Sequence, residues 1–152
     1  MARAALCLIL LAGCGLASRD VDVWQDFQAG GGPPTAGTSF DSSKLLAPIA
    51  ADVSKLSSVT LKAARLEATD GGNLSFVSGA TLRIAAQVLP DRELATYSGM
   101  PAGSRVDLTI LPAELKGYLQ AGGFIAAEVT YSTTPVTARG LRLTLTLHAS
   151  LF

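Results

Sequence analysis

The sequence predicts an all-β domain, an antiparallel two-sheet β-sandwich with one or two short helices, preceded by a targeting segment. The clearest sign is the C-terminal run, where Leu141, Leu143, Leu145, Leu147, Ala149 and Leu151 alternate with Arg142, Thr144, Thr146, His148 and Ser150. Period-two alternation marks a strand with one face in a core and the other in water, the pattern of antiparallel sheets. Shorter runs of the same period recur upstream, and the 15 glycines and 7 prolines supply turns between them. With 49% apolar and 16% charged residues in 152, one domain can bury a core without disulfides or metal.

The chain begins Met1-Ala2-Arg3, continues through nine apolar residues from Ala4 to Ala12, and reaches the small residues Gly13, Cys14 and Gly15. A short positive start, an apolar run and small residues form the layout of a secretory signal peptide. Nine helical residues rise only about 14 Å, well short of the ~20 residues that cross a bilayer. The stretch Leu11-Ala12-Gly13-Cys14 resembles the lipobox of bacterial lipoproteins. That resemblance implies cleavage before Cys14, a diacylglyceryl group on its sulfur, and a mature chain anchored through lipid. Residues 1–13 are then the signal peptide, 14–19 a lipidated tether and 20–152 the domain. Gly15 stands where aspartate often retains lipoproteins at the inner membrane, which points to the outer membrane in a Gram-negative cell.

Val21 to Phe27 alternates, with Val21, Val23 and Phe27 on one face and Asp22, Trp24 and Asp26 on the other, and predicts the first strand. Residues 28–39 include Gly30-Gly31-Gly32-Pro33-Pro34 and read as a Gly/Pro-rich loop, or as a flexible spacer that moves the domain boundary to about Phe40. Between Asp41 and Leu56, the residues Leu45, Leu46, Ile49 and Val53 recur at helical spacing, interrupted by Pro48. One or two helical turns are expected, with Asp41 or Ser42 capping the first and Pro48 opening the second. Val59, Leu61 and Ala63 then share a face before Leu66 and Ala68 continue in the opposite phase, a β-bulge around Ala64.

After the turn Asp70-Gly71-Gly72-Asn73, Ala80, Leu82, Ile84, Ala86 and Val88 line a strand ending at Pro90, expected to form a hairpin with the strand before it. Leu94 to Tyr97 reads as a short edge strand. Val106, Leu108 and Ile110 point inward from a strand over Arg105 to Leu111. Pro112 opens a helix through Leu119, stopped by Gly122 and Gly123. Phe124 to Tyr131 is the next strand, broken by Pro135. About seven strands separated by turns call for two packed sheets. At the level of architecture the domain is similar to the small immunoglobulin-like sandwiches of many envelope lipoproteins.

Chemistry is sparse in the sequence. Lys and Arg total 12 against 12 Asp and Glu, and they are scattered singly, unlike the clustered cations that bind nucleic acid. Cys7 and Cys14 are the only thiols and His148 the only histidine, so no His/Cys metal set or catalytic triad can be read. His148 reads as a surface side chain. Asp22 and Asp26 share a strand face but stand about 13 Å apart, too far to hold one metal ion or act as a glycosidase pair. No phosphate loop or nucleophile elbow is present.

No catalytic residue, metal or cofactor is therefore assigned. The outward aromatics Trp24, Tyr97, Tyr118 and Phe124 are the candidate binding surface, because a rigid ring supplies contact area at small entropic cost. The expected role is a non-catalytic envelope lipoprotein that binds or scaffolds an envelope protein. A module binding a carbohydrate or other small ligand, and an enzyme of unrecognised type, are the alternatives.

Overall fold

The structure, a computed structural model, describes residues 18–49 and 52–151. The signal peptide expected over residues 1–13 and the expected lipidation site Cys14 lie outside the described residues. Two antiparallel sheets pack face to face. The first has the order β1 (Ser18–Ala29), β9 (Arg139–Leu151), β3 (Leu56–Ala68), β6 (Arg105–Asp107). The second has the order β2 (Thr35–Asp41), β8 (Phe124–Tyr131), β4 (Val77–Ala86), β5 (Leu89–Ser98), β7 (Thr109–Ile110). The protein is a two-sheet β-sandwich. Its last strand lies between the first and the third, whereas constant-type immunoglobulin domains carry their last strand at a sheet edge.

Alternation builds the core. From β9, Leu141, Leu143, Leu145, Leu147 and Ala149 enter it, and from the opposing sheet come Phe40, Leu82, Ile84, Ile125 and Val129. Burying a side chain of the Val, Leu, Ile or Phe kind contributes about 1.5–3 kcal/mol, so these two facing rows hold the sheets together. The phase change in β3 is a bulge between Leu61 and Ala63. It leaves Lys62 and Ala63 exposed and returns Ala64, Leu66 and Ala68 to the core.

Several sequence expectations need correction. The strand β1 starts at Ser18, so the tether expected over 14–19 gives up Ser18 and Arg19 to the ladder with β9. The loop expected over 28–39 shrinks to Gly30–Pro34, because β1 runs to Ala29 and Thr35–Asp41 pairs along its whole length with β8. Phe40, fully buried, fixes that added strand to the core. Residues 28–39 are thus no spacer.

The hairpin expected between β3 and β4 does not form, since the two strands belong to different sheets. The hairpin partner of β4 is β5, joined through a two-residue turn at Gln87 and Val88. That turn places Val88 outside the strand, and Leu94–Tyr97 belongs to a longer strand with neighbours on both sides.

The segment expected as one strand from Arg105 to Leu111 crosses between sheets. β6 pairs with β3, β7 with β5, and the N–H of buried Leu108 between them donates to the Ala64 carbonyl at 2.9 Å.

The helices are shorter than expected and sit together. Asp41 caps α1 (Ser42–Leu46) by accepting from the Lys44 N–H at 2.8 Å. A 3₁₀ turn follows at Val53–Lys55 rather than at Pro48, and α2 spans Lys116–Gln120 rather than starting at Pro112. Gly122, at φ +69°, ends α2. Leu45, Leu115, Tyr118 and Leu119 from these turns are buried and plug one end of the sandwich. The start of β1, the end of β9 and the β4–β5 turn lie at the same end, called here the near end.

The far end is closed by loops. Arg139 donates twice to Asp70, at 2.9 and 3.2 Å. Gly30 N–H donates to the Tyr131 hydroxyl at 3.0 Å, and Gly31 N–H to the Pro135 carbonyl at 3.2 Å. Gly30 has φ +91°, and a Cβ there would meet the Pro135 oxygen at 2.8 Å, so only glycine fits.

Candidate functional site

The four aromatic candidates do not form one surface. Trp24 is 53% exposed on the outer face of the first sheet, with the Arg142 guanidinium 4.3 Å from its ring centre. Phe124 is 43% exposed at the near-end start of β8. Tyr118 is buried in α2, and its hydroxyl donates to the Pro90 carbonyl at 2.6 Å. Tyr97 stands opposite Ala80 and is half-buried against the core. Expecting Tyr97 and Tyr118 to face outward was wrong, because the β4–β5 ladder and the α2 turn direct both rings inward.

Around Trp24, the outer face of the first sheet is a lattice of cross-strand pairs. Register sets Asp20 opposite His148, Asp22 opposite Thr146 and Asp26 opposite Arg142. Each outward acid on β1 thereby meets a donor on β9. Arg142 grips Asp26 with two bonds of 2.7 and 2.9 Å, and the Thr146 hydroxyl donates to Asp22 at 2.7 Å. His148 Nδ1 lies 2.6 Å from Asp20, which also accepts from Lys62 on β3.

The hydrogen bond from Lys62, with that from His148, holds the Asp20 carboxyl below its ordinary range, and the Arg142 bond does the same for Asp26. These groups are exposed, so the pairs add little to stability. They do leave the acids Asp20, Asp22 and Asp26 of β1 each held by a donor from a neighbouring strand. Among the described residues, no group of three or more His, Cys, Asp or Glu side chains is placed to hold a metal ion.

The outer face of the second sheet is built differently. Gly37, Glu128 and Thr81 stand in register across β2, β8 and β4, and Ser39, Ala126 and Arg83 form the next row. Short side chains at Thr35, Gly37, Thr81 and Ala126 leave an open trough of about 430 Å³, with Arg83 and Glu128 among its lining residues. Thr81, Arg83, Ala126 and Glu128 are the outward positions of β4 and β8 by strand alternation, and the buried Ala36 and Ala127 complete the lining.

A side chain at Gly37 would crowd the Ala127 carbonyl at 3.0 Å, which keeps the floor low. Arg83 lies 3.8 Å from Glu93, a loose pair with both partners largely exposed. The trough therefore offers hydroxyls, one cation and one anion over a shallow, non-aromatic floor. That arrangement suits an extended polar chain. Sequence reasoning did not find it. The outward positions were readable from alternation, but not that β2, β8 and β4 would lie side by side.

No protein-family model and no curated protein matches the chain. Among solved structures, it is similar to a chain in the structure of infectious bursal disease virus Gt strain, at 13% identity and a TM-score of 0.39, covering 91% of this chain and 38% of that one. A chain in the Gx strain structure matches at 12% identity and a TM-score of 0.37, covering 88% and 36%. This chain thus spans less than half the length of those viral chains. The fold assignment stands on the strand pairing itself.

Proposed function

We propose that this protein is a lipid-anchored lipoprotein of the cell envelope, in the outer membrane if the cell is Gram-negative, whose β-sandwich has a non-catalytic binding role. The anchor is Cys14, read from the Leu11-Ala12-Gly13-Cys14 lipobox. The binding surface is the trough over β2, β8 and β4, and the partner an extended polar segment of another envelope protein. The observation that carries this reading is the contrast of the trough with the rest of the outer surface, a floor of Gly, Ala and Thr beside Arg83 and Glu128. Carbohydrate binding is the weaker reading, because the two exposed rings among the described residues, Trp24 and Phe124, belong to different sheets and cannot form a stacking platform.

The test uses the full chain in its own membrane. Replacing Cys14 with alanine abolishes labelling by a fatty-acid analogue; labelling that persists removes the anchor. A photo-crosslinking residue at Ser39, exposed beside Ala126 in register and outside the trough lining, captures a partner protein, while one at Thr144 on the opposite sheet does not. Equal yields at the two positions, or none at 39, remove the trough as the binding surface.

A further inference from the structure

We infer that the near end of the sandwich is a membrane-contact surface, where Val88 and Phe124 enter the lipid headgroup layer. The inference rests on the anchor reading at Cys14. Ser18 is the first residue of the β1 ladder, paired with Ser150 at the near end, and only four residue steps separate it from Cys14. A chain spans at most about 3.6 Å per residue, so the tether reaches no more than about 14 Å. The headgroup layer of one leaflet is itself roughly 5–7 Å deep. A lipidated Cys14 therefore holds the near end against the bilayer.

That end carries exposed apolar side chains. Val88, at the tip of the β4–β5 turn, is 81% exposed and Phe124 43% exposed. The two are close in register, since Phe124 stands opposite Ala85 on β4, just before the turn. Leu151, 37% exposed at the end of β9, adds a third apolar group on the first sheet. Strand β1 touches β2, and β8 lies next to β2, so Phe124 is about one sheet gap of 10 Å and one strand spacing from the tethered edge. A ring and a branched aliphatic chain are suited to the boundary between headgroups and acyl chains. Two such side chains bind a membrane weakly by themselves, but an anchor makes the contact intramolecular and raises its effective concentration.

The far end supplies a control. Val136 there is 98% exposed but lies the length of β9 from the tether, roughly 40 Å. Cleavage removes Cys7 and lipidation consumes the Cys14 sulfur, so Val88→Cys or Val136→Cys introduces a single free thiol for an environment-sensitive fluorophore. The lipidated full chain is placed in vesicles of zwitterionic phospholipid containing a nitroxide-labelled lipid. The fluorophore at position 88 is expected to be quenched severalfold more than that at 136. Equal or absent quenching at 88, with the diacylglyceryl adduct on Cys14 verified by mass, overturns the membrane contact and leaves the anchor reading intact. A chain that carries no adduct overturns both.

Discussion

The two outer faces of the sandwich share one core and one backbone geometry, yet they treat their polar groups in opposite ways. On the first sheet the side chains are long and paired, with Asp20 held by Lys62 and His148, Asp26 by Arg142, and Arg65 bonded to Asp107 at 2.9 Å. On the second they are short, and the trough lies open beside the loose Arg83–Glu93 pair. A face that satisfies itself has little left to offer a ligand. One built from Gly, Ala and Thr leaves hydroxyls, Arg83 and Glu128 accessible, so binding is expected on the second sheet.

The largest perturbation of this comparison removes the support common to both faces. Leu145→Ala empties a fully buried position between the sheets and is expected to cost about 2–5 kcal/mol, measured by urea unfolding; a cost within error of zero would mean that the sheets are not held together as described. Next, Gly37→Val pushes a side chain against the Ala127 carbonyl, with an expected loss of about 1–3 kcal/mol. Ala126→Trp fills the same trough from an exposed direction and should abolish partner capture while changing stability by no more than about 0.5 kcal/mol. A trough that still captures its partner after both changes is not the binding surface.

Acid is expected to act on the first face through Asp20 and Asp26. Folding lowers the Asp20 and Asp26 pKa values through the bonds from Lys62, His148 and Arg142. The unfolded chain therefore takes up these protons first, near the ordinary value of about 3.9. The stabilisation is complete above that value and is lost as pH falls through it toward the lower folded values. Urea midpoints between pH 7 and pH 2 should fall less steeply for the Asp20→Asn, Asp26→Asn double variant than for the native protein. An unchanged slope would show that the lattice does not contribute.

The smallest effect is spectroscopic. Trp24 is the only tryptophan, so its emission reports on the first face alone. Arg142→Gln uncovers the ring and should shift emission to the red, whereas Arg83→Gln on the second face should leave it unchanged.

Much of this fold was legible where alternation and pairing agree. The strand from Phe124 to Tyr131 has the expected bounds, and β9 carries its expected buried row. β2 was not legible because Thr35–Asp41 has only Ala36 and Phe40 as apolar inward residues; its place is set by pairing with β8. The crossing at Leu108 was hidden for a different reason. A strand that leaves one sheet for the facing one still points its inner side chains at the same core, so Val106, Leu108 and Ile110 keep their period of two.

The hairpin misassignment of β3 and β4 follows from reading nearest neighbours in sequence as partners in space. The candidate site was less legible still. Exposure of Tyr97 and Tyr118 depends on which strand or helix covers them, and the trough exists only once three strands separated in sequence lie adjacent. The proposed lipobox at Leu11-Ala12-Gly13-Cys14 is a local pattern whose reading needs no such assembly.

The pairing of β1 with β9 also has a kinetic consequence. Asp20 meets His148 across 128 residues, and the sheet partner of β1 is the last strand in sequence. Closing so long a loop carries a high entropic cost, and folds dominated by such contacts form slowly. During synthesis β1 and β3 can emerge and even collapse, but the sheet that joins them has no middle until Arg139–Leu151 arrives. Folding of the first sheet therefore waits for Arg139–Leu151, and until that strand arrives β1 and β3 remain parts of an unclosed polymer.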